Sequence, residues 1–291
     1  TLMRSSAASD VYKRQIFKMG AGGKGFNQGV AAYKAGADVC MVTKLGKDTF
    51  ADVALSMMDD IKMDHKNIFF SEDIQTGVAL ILVDEKTSQN EIVVVPGACD
   101  QITVEEVNSI REVLKQSEYV LIQLEVNQDA NEAVVDIIRE YGGKVILNPA
   151  PYQPVSDEFL SKIFLITPNE VEAEQMTGIK VTDMDSAMRA AAVLEKKGIK
   201  QIIITMGSRG VFVSADGKSR LIPCCPVNAV DTTGAGDAFN GGLLTGLAEG
   251  MDIWEAAEFA NALAGLSVQK YGTAPAMPWR EEIDQFRKRI M

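Results

Sequence analysis

Val230-Asp231-Thr232-Thr233-Gly234-Ala235-Gly236-Asp237-Ala238-Phe239-Asn240-Gly241-Gly242 is the stretch from which the rest of the chain is read. Two glycines flank an alanine and lead into Asp237, after which Phe239, Leu243, Leu244 and Leu247 recur at helical spacing on one face. The pattern predicts a helix beginning at or near Asp237. Its first amides lack intrahelical acceptors, and with the helix dipole they make a positive, donor-rich pocket suited to phosphate oxygens. Glycine lets that backbone come close to a ligand. A carboxylate in the first turn repels a bound anion, yet it is well placed to take a proton from a hydroxyl that attacks phosphorus. A capped helix after a loop has the same local pattern, so the remainder of the chain must decide between the two readings.

Composition narrows the choice. With 291 residues, 46% of them hydrophobic and 24% charged, the chain can bury a large α/β core. No apolar run is long enough to span a bilayer. A net charge of −11 argues against nucleic acid or an anionic membrane as partner, so bound phosphate must rely on local amides and a few cations. Cys40, Cys99, Cys224 and Cys225 have neither metal-ligand nor disulfide-framework spacing, which fits a reducing cytoplasm, and the adjacent pair reads as strand residues. His65 is the sole histidine and sits among polar residues, which argues against a serine or cysteine triad.

Residues 1–15 have no signal-peptide core and no clear period. Asp10-Val11-Tyr12-Lys13-Arg14-Gln15 resembles a translated sequencing-library adaptor, so 1–15 is expected to be a non-native leader and 16–291 the domain. Gly20-Ala21-Gly22-Gly23-Lys24-Gly25 formally fits the dinucleotide fingerprint, although Ile16 to Met19 makes a poor preceding strand, and Gly25 after Lys24 excludes a P-loop. A small-residue helix follows through Asn27 to Gly36. Glycines at its start either admit a ligand or permit tight packing on a sheet, and Asn27 offers a donor and an acceptor to hydroxyls.

Strand and helix then alternate, which predicts a doubly wound, mostly parallel sheet flanked by helices. Strands are expected at 39–43, 119–124, 144–147, 163–166 and 201–204, with helices at 51–63, 129–141 and 185–197. Residues 78–83 and 92–95 lack a helix between them and read as an antiparallel ribbon outside the main sheet, a small lid around 76–95. The strands from 119 onward run into Glu125, Asn148-Pro149-Ala150-Pro151, Thr167-Pro168-Asn169-Glu170 and Thr205-Met206-Gly207. Each polar group could be a simple strand terminator or cap. Together at the carboxyl edge of a parallel sheet, ahead of the turn at 234–237, they favour a ligand crevice.

In order along the chain, Gly22-Gly23-Lys24-Gly25-Phe26-Asn27-Gln28, Thr167-Pro168-Asn169-Glu170, Thr205-Met206-Gly207-Ser208-Arg209-Gly210 and Asp231-Thr232-Thr233-Gly234-Ala235-Gly236-Asp237 resemble the motifs of the ribokinase-like carbohydrate kinases. The resemblance covers the sequence from about Gly20 to the end. It implies ATP-dependent phosphorylation of a sugar's primary hydroxyl, with the 5-hydroxyl of D-ribose fitting best and deoxyribose, fructose phosphates or nucleosides as relatives' acceptors. It makes Asp237 the general base and the amides of Gly234, Ala235, Gly236 and Asp237 an anion hole. Gly23, Lys24, Gly25, Asn27 and Glu125 would meet the sugar. Asn169 and Glu172 would lie near nucleotide phosphate and magnesium. Thr205, Met206, Gly207, Ser208, Arg209 and Gly210 would line the ATP groove, with Asn261 at the adenine end.

The same resemblance implies a potassium ion held by Asp231, Thr233, Ser267, Lys270 and Gly272, with Ala276 standing where a hydroxyl is often found. It implies a homodimer through the lid. It also implies an opening strand carrying a sugar-holding aspartate, which no residue before Ile16 supplies, so the sequence is expected to be N-terminally truncated. Two other readings stay open: a catalytically silent sugar- or nucleotide-binding regulator on the same fold, and an NAD-dependent oxidoreductase prompted by Gly20 to Gly25.

Overall fold

A computed structural model describes residues 19–83 and 90–290. The expected leader at 1–15 and the tip of the lid at 84–89 lie outside the described residues. Helix α1 spans Lys24–Lys34, followed by β1 Thr43–Gly46, α2 Thr49–Ile61, β2 Ile68–Ser71, and the ribbon β3 Val78–Val83 and β4 Asn90–Val95. Short helices α3 Val104–Ser109 and α4 Arg111–Gln116 lead into β5 Tyr119–Gln123, α5 Gln128–Glu140, β6 Lys144–Asn148, α6 Asp157–Ser161, β7 Leu165–Ile166, α7 Glu170–Thr177, α8 Met184–Lys196 and β8 Gln201–Thr205. Hairpin β9 Val211–Ala215 and β10 Lys218–Ile222 precedes α9 Ala235–Ala248, α10 Ile253–Ser267 and α11 Arg280–Ile290.

The main sheet has six strands in the order β10-β9-β8-β7-β6-β5. Strands β5 to β8 pair in parallel, and the β9–β10 hairpin closes one edge antiparallel. Because successive strand side chains point to opposite faces, the continuous apolar runs divide between two cores. Val145, Leu147, Ile166, Ile202 and Ile204 pack with Val135, Ile138, Ala187 and Leu194 of α5 and α8. Ile146, Leu165 and Ile203 face the other way, onto Phe239, Leu243, Ala256 and Ala260 of α9 and α10. Each fully buried aliphatic side chain of this kind contributes about 1.5–3 kcal/mol. A third core joins α1, α2, β1 and β2 to α10 and α11 through Val30, Met58, Leu45, Ile68, Phe259 and Ile283.

The α/β architecture and the separate antiparallel ribbon are as the sequence predicts. Two local expectations are corrected. The strand expected at 39–43 lies at Thr43–Gly46, because the only ladder there is the parallel pairing with Ile68–Ser71, while Met41 is buried without one. Cys224 and Cys225 are not strand residues: β10 ends at Ile222, and Pro223 has no amide hydrogen to continue the pairing. Residues 16–18, the poor strand expected ahead of the dinucleotide fingerprint, lie outside the described residues.

Candidate active site

Two helices bring the site together. α1 and α9 pack so closely that a Cβ on Gly241 would stand 2.5 Å from both the Ala31 Cβ and the Gln28 carbonyl oxygen. This contact sets the first two turns of α1 beside the first turn of α9. Both helices start on glycine in a positive-φ conformation, Gly23 at 93° and Gly234 at 77°, and neither has a side-chain cap. In α9 the Ala235 amide closes the turn onto the Thr232 carbonyl at 3.2 Å. Gly236 and Asp237 follow at positions whose amides have no intrahelical acceptor.

Asp237 is buried at 8% exposure. Its Oδ2 accepts from Asn27 Nδ2 at 2.8 Å and its Oδ1 from Gln28 Nε2 at 2.9 Å. Burial raises the pKa of its carboxyl above the usual range, opposed by the Gln28 and Asn27 donors and the charge of Lys24. The Asn27 Oδ1 atom is buried and has no hydrogen-bond partner among the described residues. An orphaned acceptor beside a buried carboxylate is what a hydroxyl-bearing ligand would satisfy.

Around this pair lie the other carboxylates. Glu125, just past β5, accepts from the Lys24 amide at 2.7 Å through Oε2, so the uncapped start of α1 is met by a residue 101 positions away. Burial raises its pKa, and the Asp237 charge adds to the rise while Lys24 opposes it. Gly23 lies against the same carboxylate, its missing Cβ 3.8 Å from Oε2. Glu172 and Asn169 form a capping box at the start of α7: Glu172 Oε2 accepts from the Asn169 amide and Asn169 Oδ1 from the Glu172 amide, both at 2.9 Å. Burial raises the Glu172 pKa as well.

The residues expected to line a nucleotide groove sit on the same sheet edge. Thr205 is bridged in parallel to Asn169, and its amide donates to the Pro168 carbonyl at 3.0 Å. Gly207–Arg209 form a single exposed turn after β8. Met206, expected in that groove, instead sends its side chain into the core at 1% exposure, while its amide donates to the Gly210 carbonyl. Arg209 is engaged with Glu170 and with the Thr182 carbonyl. Asn261 reaches the 205–210 turn by way of the 223–224 segment: its Nδ2 donates to the Pro223 carbonyl at 2.7 Å, and Cys224 in turn donates to the Ser208 carbonyl. Gly210 is required there, with φ of 100° and a Cβ position 2.0 Å from the Ile222 carbonyl oxygen.

The expected cation loop is tied together by Asp231, which accepts from the Thr233 amide at 2.9 Å and the Gly272 amide at 3.0 Å. The Ser267 carbonyl accepts from the Lys270 amide, and the Lys270 ammonium pairs with Glu282 at 2.8 Å. Ala276 is buried and brings no hydroxyl. Among the described residues no cluster of three or more His, Cys, Asp or Glu could hold a metal ion.

The residue-level reading missed Gln123, whose Nε2 donates to Gln28 Oε1 at 2.7 Å, and the role of Gln28 itself. A polar residue closing the apolar run Tyr119 to Ile122 was the available signal for Gln123.

A buried carboxylate stands at the open start of a glycine-led helix, on the carboxyl edge of a parallel sheet, where open α/β folds bind their ligands. The pattern of the pfkB family carbohydrate kinases matches residues 3–280, and the chain belongs to that family. It is 42% identical over 272 residues to the Haemophilus influenzae ribokinase, covering 94% of this chain and 89% of the relative. Against the deoxyribokinase of Salmonella typhi the identity is 34% over 271 residues, covering 93% and 88%. Among solved structures, the Arabidopsis thaliana ribokinase complexed with ribose and ATP superposes with a TM-score of 0.86 at 29% identity, covering 92% of this chain and 88% of that one.

Proposed function

We propose that this protein transfers the terminal phosphoryl group of ATP to the 5-hydroxyl of D-ribose, with Asp237 as general base. The observation that carries the reading is the Asn27–Asp237 pair: a buried carboxylate 2.8 Å from an amide whose own oxygen is orphaned, at the first turn of α9. Asp237 takes the hydroxyl proton as the sugar oxygen bonds to phosphorus and the bond to ADP breaks. Amides of Gly236 and Asp237 accept the charge that develops on the transferring group. Asn27 Oδ1 and Glu125 accept from the other sugar hydroxyls, which turns the acceptor toward Asp237. The Haemophilus influenzae ribokinase, at 42% identity, shares more sequence with this chain than the Salmonella typhi deoxyribokinase at 34%, which favours ribose.

Magnesium, when bound with the nucleotide, would neutralise phosphate charge. Glu172 fits it as a buried hard-oxygen donor whose ionised form a cation would stabilise. Potassium would be held by Asp231 and by carbonyl oxygens of Thr233, Ser267, Lys270 and Gly272. The set fits a hard monovalent ion, and Asp231 already joins the two loops that carry it. Thr205, Gly207, Ser208 and Gly210 would meet ATP, with Asn261 at its adenine end. The exposed ribbon residues Leu80, Ile81, Val93, Val94 and Val95 support a homodimer through the lid. Free thiols at Cys40, Cys99, Cys224 and Cys225 support a reducing, cytoplasmic setting.

A panel of ribose, deoxyribose, fructose 6-phosphate and adenosine, assayed with ATP and magnesium in potassium or sodium buffer, tests the reading. Ribose should give the highest kcat/KM and potassium should raise it. Preference for another acceptor would overturn the sugar, and ATP turnover with none of them would overturn the kinase.

A further inference from the structure

Asp237 is not held by Asn27 alone. The Gln28 amide donates through one Nε2 atom to Asp237 Oδ1 and to Asn148 Oδ1, both at 2.9 Å. Its Oε1 accepts from Gln123 Nε2 at 2.7 Å. Asn148 donates onward to the Thr167 carbonyl at 3.0 Å, and the Thr167 hydroxyl to Asn240 Oδ1 at 2.6 Å. Asn240 returns to α9 by donating to the Gly236 carbonyl at 2.9 Å. The loop therefore closes on the same turn of α9 that carries the carboxylate.

We infer that Gln28 is a positioning residue for the general base: it pins Asp237 Oδ1, leaving Oδ2, on the side of Asn27, to take the hydroxyl proton. The inference rests on Asp237 being the base. Gln28 is 1% exposed, and its orientation is fixed by chemistry. Turning its amide over would set Oε1 against both the Asp237 carboxylate and Asn148 Oδ1, and would face its NH2 group toward the Gln123 donor. Both amide hydrogens are committed, so Gln28 cannot also donate to substrate. A carboxylate free to rotate about its last torsion would present either oxygen; with Oδ1 held by Gln28 and Oδ2 by Asn27, one geometry remains. The charged groups that act on Asp237 are Lys24 on α1, Glu125 after β5 and Glu172 on α7, none of them bonded to Gln28.

Gln28→Met keeps the length of the side chain and removes both donors. We expect kcat to fall about tenfold or more while the KM for ATP stays within about threefold. The acid limb of the kcat–pH profile should move to higher pH, because a donor that favours the charged form is gone. On an Asp237→Asn background, Gln28→Met should lower the residual turnover no further. If Gln28→Met does not fold, Gln123→Met, which releases the Gln28 amide and leaves its donors to Asp237 and Asn148 in place, is measured for the same signs. Parental kcat and acid limb in a folded variant, or losses that multiply in the double variant, overturn the inference. Parental turnover in Asp237→Asn alone would instead overturn the assignment of the base.

Discussion

Replacing Gly241 with alanine adds one methyl group at the crossing of α1 and α9, and its effect on activity should exceed its effect on stability. The new Cβ would lie 2.5 Å from the Ala31 Cβ, 2.5 Å from the Gln28 carbonyl oxygen and 2.9 Å from the Ala32 amide nitrogen. Carbon atoms in ordinary contact sit about 3.5–4.0 Å apart, so α1 must retreat by about 1 Å. Two of the three neighbours are backbone atoms of a regular helix, which cannot turn aside as a long side chain would. Overpacking of this kind costs about 1–3 kcal/mol. Removing glycine from a helix interior returns about 0.5–1 kcal/mol. The net loss is therefore at most about 2.5 kcal/mol, a fall of several degrees in Tm for a chain of this size. The catalytic consequence is larger. Asn27 and Gln28 hold Asp237 at 2.8 and 2.9 Å, and both belong to the helix that moves. A further 1 Å takes both contacts past hydrogen-bond reach, and a misplacement of that size costs roughly 10²-fold in rate. Initial rates with saturating ATP and sugar, alongside a thermal melt, make the comparison. A variant that melts higher than the parent and turns over at the parental rate would refute the claim that this glycine sets the distance between Asp237 and its donors.

Glu125→Gln should separate stability from binding. Burial raises the Glu125 pKa, so the native state holds that proton more tightly than the unfolded chain and pays for ionisation as pH rises through the raised value. Glutamine keeps an acceptor for the Lys24 amide and carries no charge. The variant should melt higher than the parent at pH 8, and the difference should close as pH falls below about 4, where the unfolded carboxyl is protonated too. Its KM for sugar should rise. A lower melting point at pH 8 would show that the carboxylate is not a cost. On the lid, Val94→Lys places a charge on the exposed ribbon and should convert a dimer to a monomer in sedimentation. An unchanged mass would remove the lid from the interface.

Periodicity and turn chemistry were enough to read the parallel strands β5 to β8, though not β2 or the β9–β10 hairpin, because strands buried on both faces appear as unbroken apolar runs such as Val145-Ile146-Leu147 and Ile202-Ile203-Ile204. They were not enough at 39–43, where apolar residues pack without a ladder partner and the strand begins only where Ile68–Ser71 can pair. In the site, Asp237 was legible from its position after Gly-Ala-Gly, and Glu125 from its place at a strand end. Gln28 was not, since a glutamine inside a small-residue helix carries no local sign of what it faces. Its partners Gln123 and Asn148 come from two different strands, 95 and 120 residues on, and only the packing of α1 against the sheet edge brings them together.

Three carboxylates, Asp237, Glu125 and Glu172, share one crevice, and burial raises the pKa of each. The Asp237 charge makes the ionisation of the other two harder, while Lys24 is the cation whose charge eases all three. Arg209, on the neighbouring turn, is already paired with Glu170. A nucleoside triphosphate adds several negative charges to a crevice lined this way, in a chain whose net charge is −11. Among the described residues the side-chain cations at the site do not balance that sum, so affinity for the nucleotide draws on main-chain donors at the start of α9 and on cations recruited from solution. It follows that nucleotide affinity should depend on the divalent and monovalent ions present far more steeply than sugar affinity does, since the sugar brings no charge to be balanced.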